Sequence, residues 1–204
     1  MNKANTEKRT NSKLRFLTKT AILSAAAVLV MLFEVPLPFA PSFYKLDFSE
    51  SVILMGSFAM GPLAGVIIEL LKNLIKALIF GTQTGYIGEF ANFLVGTSFV
   101  LTASLVYKKR HTKKNALIGM TLGTLMLALV GALVNYFILI PAYVKIMGLP
   151  LDAIIDAGSA VNASITDLKT LIAFAVVPFN LVKGVICSAI AFLLYKKVSK
   201  ILHF

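Results

Sequence analysis

The sequence predicts an all-α integral membrane protein with six transmembrane helices, and three observations carry that prediction. The 204 residues are 58% hydrophobic and only 14% charged, with mean hydropathy +0.85, a balance foreign to soluble domains. The apolar residues gather into six segments, at about 14–33, 48–60, 62–80, 86–107, 116–140 and 170–195, most of them near the ~20 residues a span requires. Third, the basic residues avoid every second connection.

That last pattern sets orientation. Lys3, Lys8, Arg9, Lys13, Arg15 and Lys19 precede the first segment. Lys108, Lys109, Arg110, Lys113 and Lys114 follow the fourth, and Lys196, Lys197 and Lys200 follow the sixth. With six crossings these stretches share a side, which therefore holds fourteen of the chain's 20 Lys and Arg. The opposite side holds Lys45, Lys145 and Lys169. By the positive-inside rule both termini are cytoplasmic, in a multi-pass protein of the cell membrane. The net charge of +11 is thus a topology signal with some headgroup contact, and no nucleic-acid partner is expected. The chain divides into a basic N-terminal segment (1–20), a membrane domain (21–195) and a short tail (196–204).

The first segment has the outline of a secretory leader. Pro38, Phe39 and Ala40 make a poor cleavage site and further spans follow, so it reads as an uncleaved helix. Ala21 and Ala25, with Ser24, Ala26 and Ala27 beside them, form a small-residue face. Such a face suits either internal packing or a docking partner. Pro36, Pro38 and Pro41 then punctuate an aromatic loop holding Phe43, Tyr44, Lys45 and Asp47. The second segment is short for a span, so it leans on this loop or is re-entrant and shielded by protein.

The third segment, entered through Gly61 and Pro62, carries Glu69, Lys72, Asn73 and Lys76 on one helical face. Its three charges oppose insertion by ~8–10 kcal/mol, against ~3–7 kcal/mol returned by its large apolar residues. The stripe must face protein or a wet cavity. Glu89 and Asn92 lie in the outer half of the fourth segment, Asn135 near the outer end of the fifth, and Asn180 and Lys183 in the sixth. Polar groups from four helices at one depth, under two outer loops, describe a pocket opening outward.

Each candidate has a plainer reading beside it. Asn180 and Lys183 share a face at i, i+3 and can present an amide and an ammonium to a carbonyl-rich ring edge. Equally, Lys183 can pair with Glu69 or Glu89 while Asn180 caps a backbone group freed by Pro178. Asn135 can read a ligand or make an interhelical hydrogen bond. Tyr136, Phe137, Phe43 and Tyr44 can stack on a flat ligand or simply pack. No Walker-type loop, no H-E-x-x-H and no G-x-S-x-G occur. His111 and His203, the two histidines, lie in connections, so neither a metal site nor a catalytic one is expected. The single Cys187 leaves no disulfide framework within the chain. An integral-membrane enzyme using Glu69 or Glu89 as base, and a scaffold without ligand, are the readings from other classes.

The strings KLDFSE (45–50), GPLAGV (61–66), ELLKNL (69–74), GEFANF (88–93), NY (135–136) and NLVKG (180–184) together resemble the substrate-binding S-components of energy-coupling factor (ECF) vitamin transporters. The likeness is greatest to those specific for riboflavin and spans about 21–195, with loop 141–168 matched least. The resemblance implies the six-helix S-component fold, with one vitamin held under the first outer loop and bound with high affinity. It implies that Asn135, Asn180 and Lys183 read the isoalloxazine ring, with Lys45, Tyr44, Asn92 and Gly96 completing the ligand set. It also implies that Ala21 and Ala25 contact a transmembrane coupling subunit, which two cytoplasmic ATPases energise. Riboflavin is then cargo, and no cofactor is expected. Another vitamin or base-like solute is the alternative cargo.

Overall fold

The computed structural model describes residues 3–202 apart from Gln83, with side-chain surroundings for 12–195. The basic side chains of Lys3, Lys8, Arg9, Lys196, Lys197 and Lys200, the ring of His203 and the end of the tail lie outside the described residues. Nine α-helices and one small hairpin are assigned in that region. Helix α1 (Lys3–Met31) crosses the expected boundary at residue 20 without a break. The proline-rich loop folds back on itself as β1 (Val35–Pro36) and β2 (Lys45–Leu46), antiparallel, with Val35 opposite Leu46. Helices α2 (Ser49–Met60) and α3 (Pro62–Phe80) follow, joined at Gly61, whose φ of 98° suits a residue without Cβ. Next comes α4 (Ile87–Lys109).

The last two long helices are each interrupted once. Helix α5 (Lys113–Val134) passes through a π-turn (Asn135–Leu139) into α6 (Ile140–Ile146). Helix α8 (Leu168–Leu171) passes through a second π-turn (Ile172–Val176) into α9 (Val177–Leu202). A proline stands just beyond each turn, Pro141 and Pro178. Proline has no N–H to donate and its ring crowds the carbonyl four residues back. In both helices the backbone answers with a bond five residues back, from Ile140 to the Asn135 carbonyl and from Val177 to that of Ile172. Between them α7 (Leu151–Ser159) covers the hairpin end of the bundle. It sets Ile154 with Ile140, Ile165, Leu171 and Ile172. The connection at 141–169 is therefore largely helical.

Four helical stretches among the described residues are long and apolar enough to cross a membrane: Ser12–Met31, Ile87–Lys109, Lys113–Ile146 and Leu168–Tyr195. Neither α2 nor α3 joins them by that measure. Helix α2 has 12 residues, nine of them buried, so its neighbours and not lipid surround it. Its Ile53, Leu54 and Phe58 form the middle of the main core with Ile68, Phe99, Val100 and Leu127. Helix α3 has 19 residues, but the charged stripe lies inside it, and Glu69, Lys72 and Asn73 are buried as their spacing requires.

Candidate functional site

The polar side chains of the membrane domain converge at the hairpin end in two linked groups. In the first, Lys72 donates to Glu69 Oε1 at 2.7 Å, to Glu50 Oε1 at 3.2 Å and to the Ser49 hydroxyl at 3.1 Å. Lys183 reaches the same Glu50 oxygen at 3.1 Å and Asp47 Oδ2 at 2.9 Å. Two ammoniums thus share three carboxylates from the hairpin's exit, α2 and α3. The row continues from Glu69 through the Asn73 amide (2.9 Å) to Asn92 on α4, which donates to Asn73 Oδ1 at 2.9 Å. Burial pushes the Asp47 carboxyl up, but the Lys183 and Lys72 ammoniums and the Ser49 hydrogen bonds outweigh it. They hold Asp47 well below the usual carboxylate range.

In the second group, the Tyr44 hydroxyl donates to Asn135 Oδ1 at 2.7 Å, tying the hairpin to the start of the first π-turn. The Asn135 amide donates to the Gly131 carbonyl at 2.8 Å. Asn180 donates to the Val176 carbonyl at 2.9 Å and packs on Gly131. A Cβ at Gly131 would stand 2.7 Å from Asn180 Nδ2, so glycine is what lets Asn180 pack against α5 one turn before Asn135. Burial pushes the Tyr44 phenol up, with Tyr143 adding to the shift, and keeps it a donor. Its ring packs against Phe179 at 5.5 Å and Phe43 at 4.7 Å. The two groups meet on α9, where Asn180 and Lys183 are one turn apart.

Of the expected site residues, Tyr44, Asn135, Asn180 and Lys183 are brought together. Asn92 joins the charged row through Asn73. Gly96 gives room to a carboxylate, since a Cβ there would lie 2.6 Å from Glu69 Oε1. Lys45 is half exposed and pairs with Glu34 at 3.3 Å, on the opposite side of β2 from the buried Leu46. Phe137 is 67% exposed and Phe43 46%, while Tyr136 packs in the cluster under α7. Ala21 and Ala25 lie on the exposed face of α1, opposite Leu23, Ala27 and Val28 in the core.

Some partners correct the expectation. Lys183 pairs with Asp47 and Glu50, and neither Glu69 nor Glu89 reaches it. Glu89 instead accepts the hydroxyls of Thr82 and Thr84, both at 2.9 Å, closing the α3–α4 turn. Asp47 and Glu50, which anchor this charged row, were not among the expected site residues. Their signal was present: two carboxylates beside an apolar segment that also had to accommodate buried lysines. Among the described residues, no group of three or more His, Cys, Asp or Glu side chains is placed to hold a metal.

Comparison with known proteins agrees with this geometry. Residues 15–195 match the family described as ECF transporter, substrate-specific component. The chain is 36% identical over 182 residues to the riboflavin transporter RibU of Staphylococcus aureus, covering 89% of each. It is 30% identical over 187 residues to the riboflavin transporter FmnP of Bacillus subtilis, covering 91% of this chain and 93% of that one. A solved structure of the S component of a bacterial ECF transporter superposes with a TM-score of 0.72 at 31% identity, covering 94% of this chain and 99% of the other.

Proposed function

The chain belongs to the substrate-specific components of ECF transporters, and on that premise we propose that it is the high-affinity riboflavin-binding subunit of a vitamin importer. Its relatives are transport components and not enzymes. Glu69 and Glu89, the candidate bases, are committed to a lysine and to two threonines. Two named relatives are riboflavin transporters. The observation that carries the cargo assignment is that Asn135 and Asn180 both contact Gly131, one through its carbonyl and one where its Cβ would be, with Tyr44 bonded to Asn135 and Lys183 one turn from Asn180. A flat ring with a uracil-like edge needs that mixture of donors and acceptors beside apolar surface. The present partners of the two amides are a tyrosine and backbone carbonyls, which a ligand can replace bond for bond. Contacts at Lys45, Asn92 and Gly96 require the ligand to displace or join Glu34, Asn73 and Glu69.

In this reading α2 and α3 complete six crossings, both termini are cytoplasmic, and 21–195 is the membrane domain between a basic segment and a short tail. The hairpin and α7 then face outward over the site. Ala21 and Ala25 present a face smooth enough for a coupling subunit's helix, and two ATPases supply the energy. A flavin-fluorescence quench titration on the purified protein tests the cargo. Saturable stoichiometric quenching is expected, and none at any riboflavin concentration would defeat the assignment. Ala25→Trp is expected to leave that titration unchanged and to abolish co-purification with the coupling subunit.

A further inference from the structure

A cavity lies at the opposite end of the bundle from the polar groups, lined by none of the expected site residues. It has a volume of about 550 Å³ and is bounded by the α2–α3 turn and the last turns of α4. Its origin is a mismatch of lengths. Helix α2 has 12 residues and α4 has 23, which rise about 18 Å and 35 Å at ~1.5 Å per residue. The turn at Gly61 therefore stops short and leaves a recess beside the end of α4.

The walls of the recess differ in chemistry with depth. Phe58 and Tyr107, stacked at 4.4 Å, form its base. Leu63 and Leu105, 68% and 49% exposed, form apolar lips. Lys108 and His111 stand at the mouth, with Lys109 and Arg110 between them in sequence. No acidic residue occurs anywhere between Glu89 and Asp152, so nothing on α4 or α5 neutralises this rim. Membrane depth cannot leave such a space as vacuum, and water is a poor neighbour for the leucine lips. Basic pockets between helices at the cytoplasmic face take anionic headgroups.

We propose that this recess is a binding site for one anionic phospholipid of the inner leaflet. Its phosphate lies against Lys108 and His111, and an acyl chain lies along Leu63 and Leu105. The inference rests on the cytoplasmic placement of the α4–α5 connection proposed above, and not on the identity of the cargo.

The test is native mass spectrometry of the full chain released from vesicles of phosphatidylcholine with and without phosphatidylglycerol, with riboflavin binding measured on the same samples. Wild type is expected to retain one phosphatidylglycerol in preference to phosphatidylcholine. Lys108→Gln with His111→Gln is expected to reduce that preference by about tenfold or more while riboflavin affinity stays put. Equal retention of both lipids, or undiminished preference in the double variant, overturns the site. So does protection of Lys108 from amine labelling only by the coupling subunit and never by phosphatidylglycerol, which would make the occupant a protein. Loss of riboflavin binding in wild type would count against the cargo and leave the lipid result standing. Labelling of Lys108 from the outside of intact cells would instead overturn the orientation, and the inner-leaflet site with it.

Discussion

At the hairpin end of the bundle, two lysines and three carboxylates are buried within ion-pairing distance of one another. At the basic end, the corresponding depth is filled by Phe58, Tyr107 and Tyr195, with one hydroxyl-to-hydroxyl bond of 2.8 Å between the two tyrosines. The same helices, α2, α4 and α9, pass through both regions. Aromatic packing would have been the more economical filling throughout, because buried ion pairs return little once desolvation is counted. The polar end is therefore kept for something other than stability. The amides and the π-turns, which tend to occur at functional positions, lie at that end too.

The contrast is sharpest under substitution. Lys72→Met should be the most damaging change, since it strands Glu69 without an ammonium and leaves Glu50 with that of Lys183 alone. Stranding a buried partner costs about 3–5 kcal/mol, read as a lowered unfolding midpoint in detergent. A cost under about 1 kcal/mol would mean that water already screens the row. Asn180→Leu comes next and acts on binding. It leaves the ion pairs intact and should weaken riboflavin by about 1–3 kcal/mol, measured by quench titration. Lys183→Met is a less clean probe than it first looks, because it also strands Asp47 and leaves Glu50 with Lys72 alone. Unchanged affinity in a folded Asn180→Leu protein would leave the amide a packing group.

At the other end, Tyr107→Phe removes one hydroxyl pair and keeps the stacked rings. It should cost about 0.5–1.5 kcal/mol and leave riboflavin affinity unaltered. A larger effect on binding than on stability would dissolve the division between the two ends. The smallest effect is expected from Asp167→Asn at the exposed cap of α8, where the carboxylate accepts the Thr170 N–H at 2.7 Å. The backbone and side-chain hydrogen bonds from Thr170 hold the Asp167 carboxyl below its ordinary value. That contribution is present above the unfolded carboxylate pKa of about 3.9 and is lost as pH falls through the depressed folded value. The melting difference between wild type and Asp167→Asn should therefore be visible at neutral pH and vanish in strong acid. Persistence at low pH would assign the cap to Thr170 alone.

Much of this architecture was legible before any coordinates. The 62–80 segment was expected to be a helix burying its own polar face, and α3 spans Pro62–Phe80 with Glu69, Lys72 and Asn73 inside. Gly96, an expected ligand position, also leaves the space that the Glu69 carboxylate occupies, which no local pattern foretold. The π-turns were not anticipated, although Pro141 and Pro178 mark both of them. Likewise the connection at 141–169 gave no periodic pattern long enough to announce α7.

What the chain alone determines is whatever depends on neighbours a few residues away. Transfer free energy sums along a segment, and side chains at i, i+3 and i+4 share a face whatever the helix packs against. Segment positions and the inward stripe of α3 follow from that, whereas the outward placement of the α1 alanines is read only from the packing. The tertiary structure decided which opposite charges and amides meet. Lys183 finds Asp47 across 136 residues and Tyr44 finds Asn135 across 91. Those choices rest on helix adjacency, and two glycine-sized gaps, at Gly131 and Gly96, likewise admit Asn180 and the Glu69 carboxylate. A buried charge takes whichever partner the packing puts within about 3 Å, and no local pattern of residues encodes that.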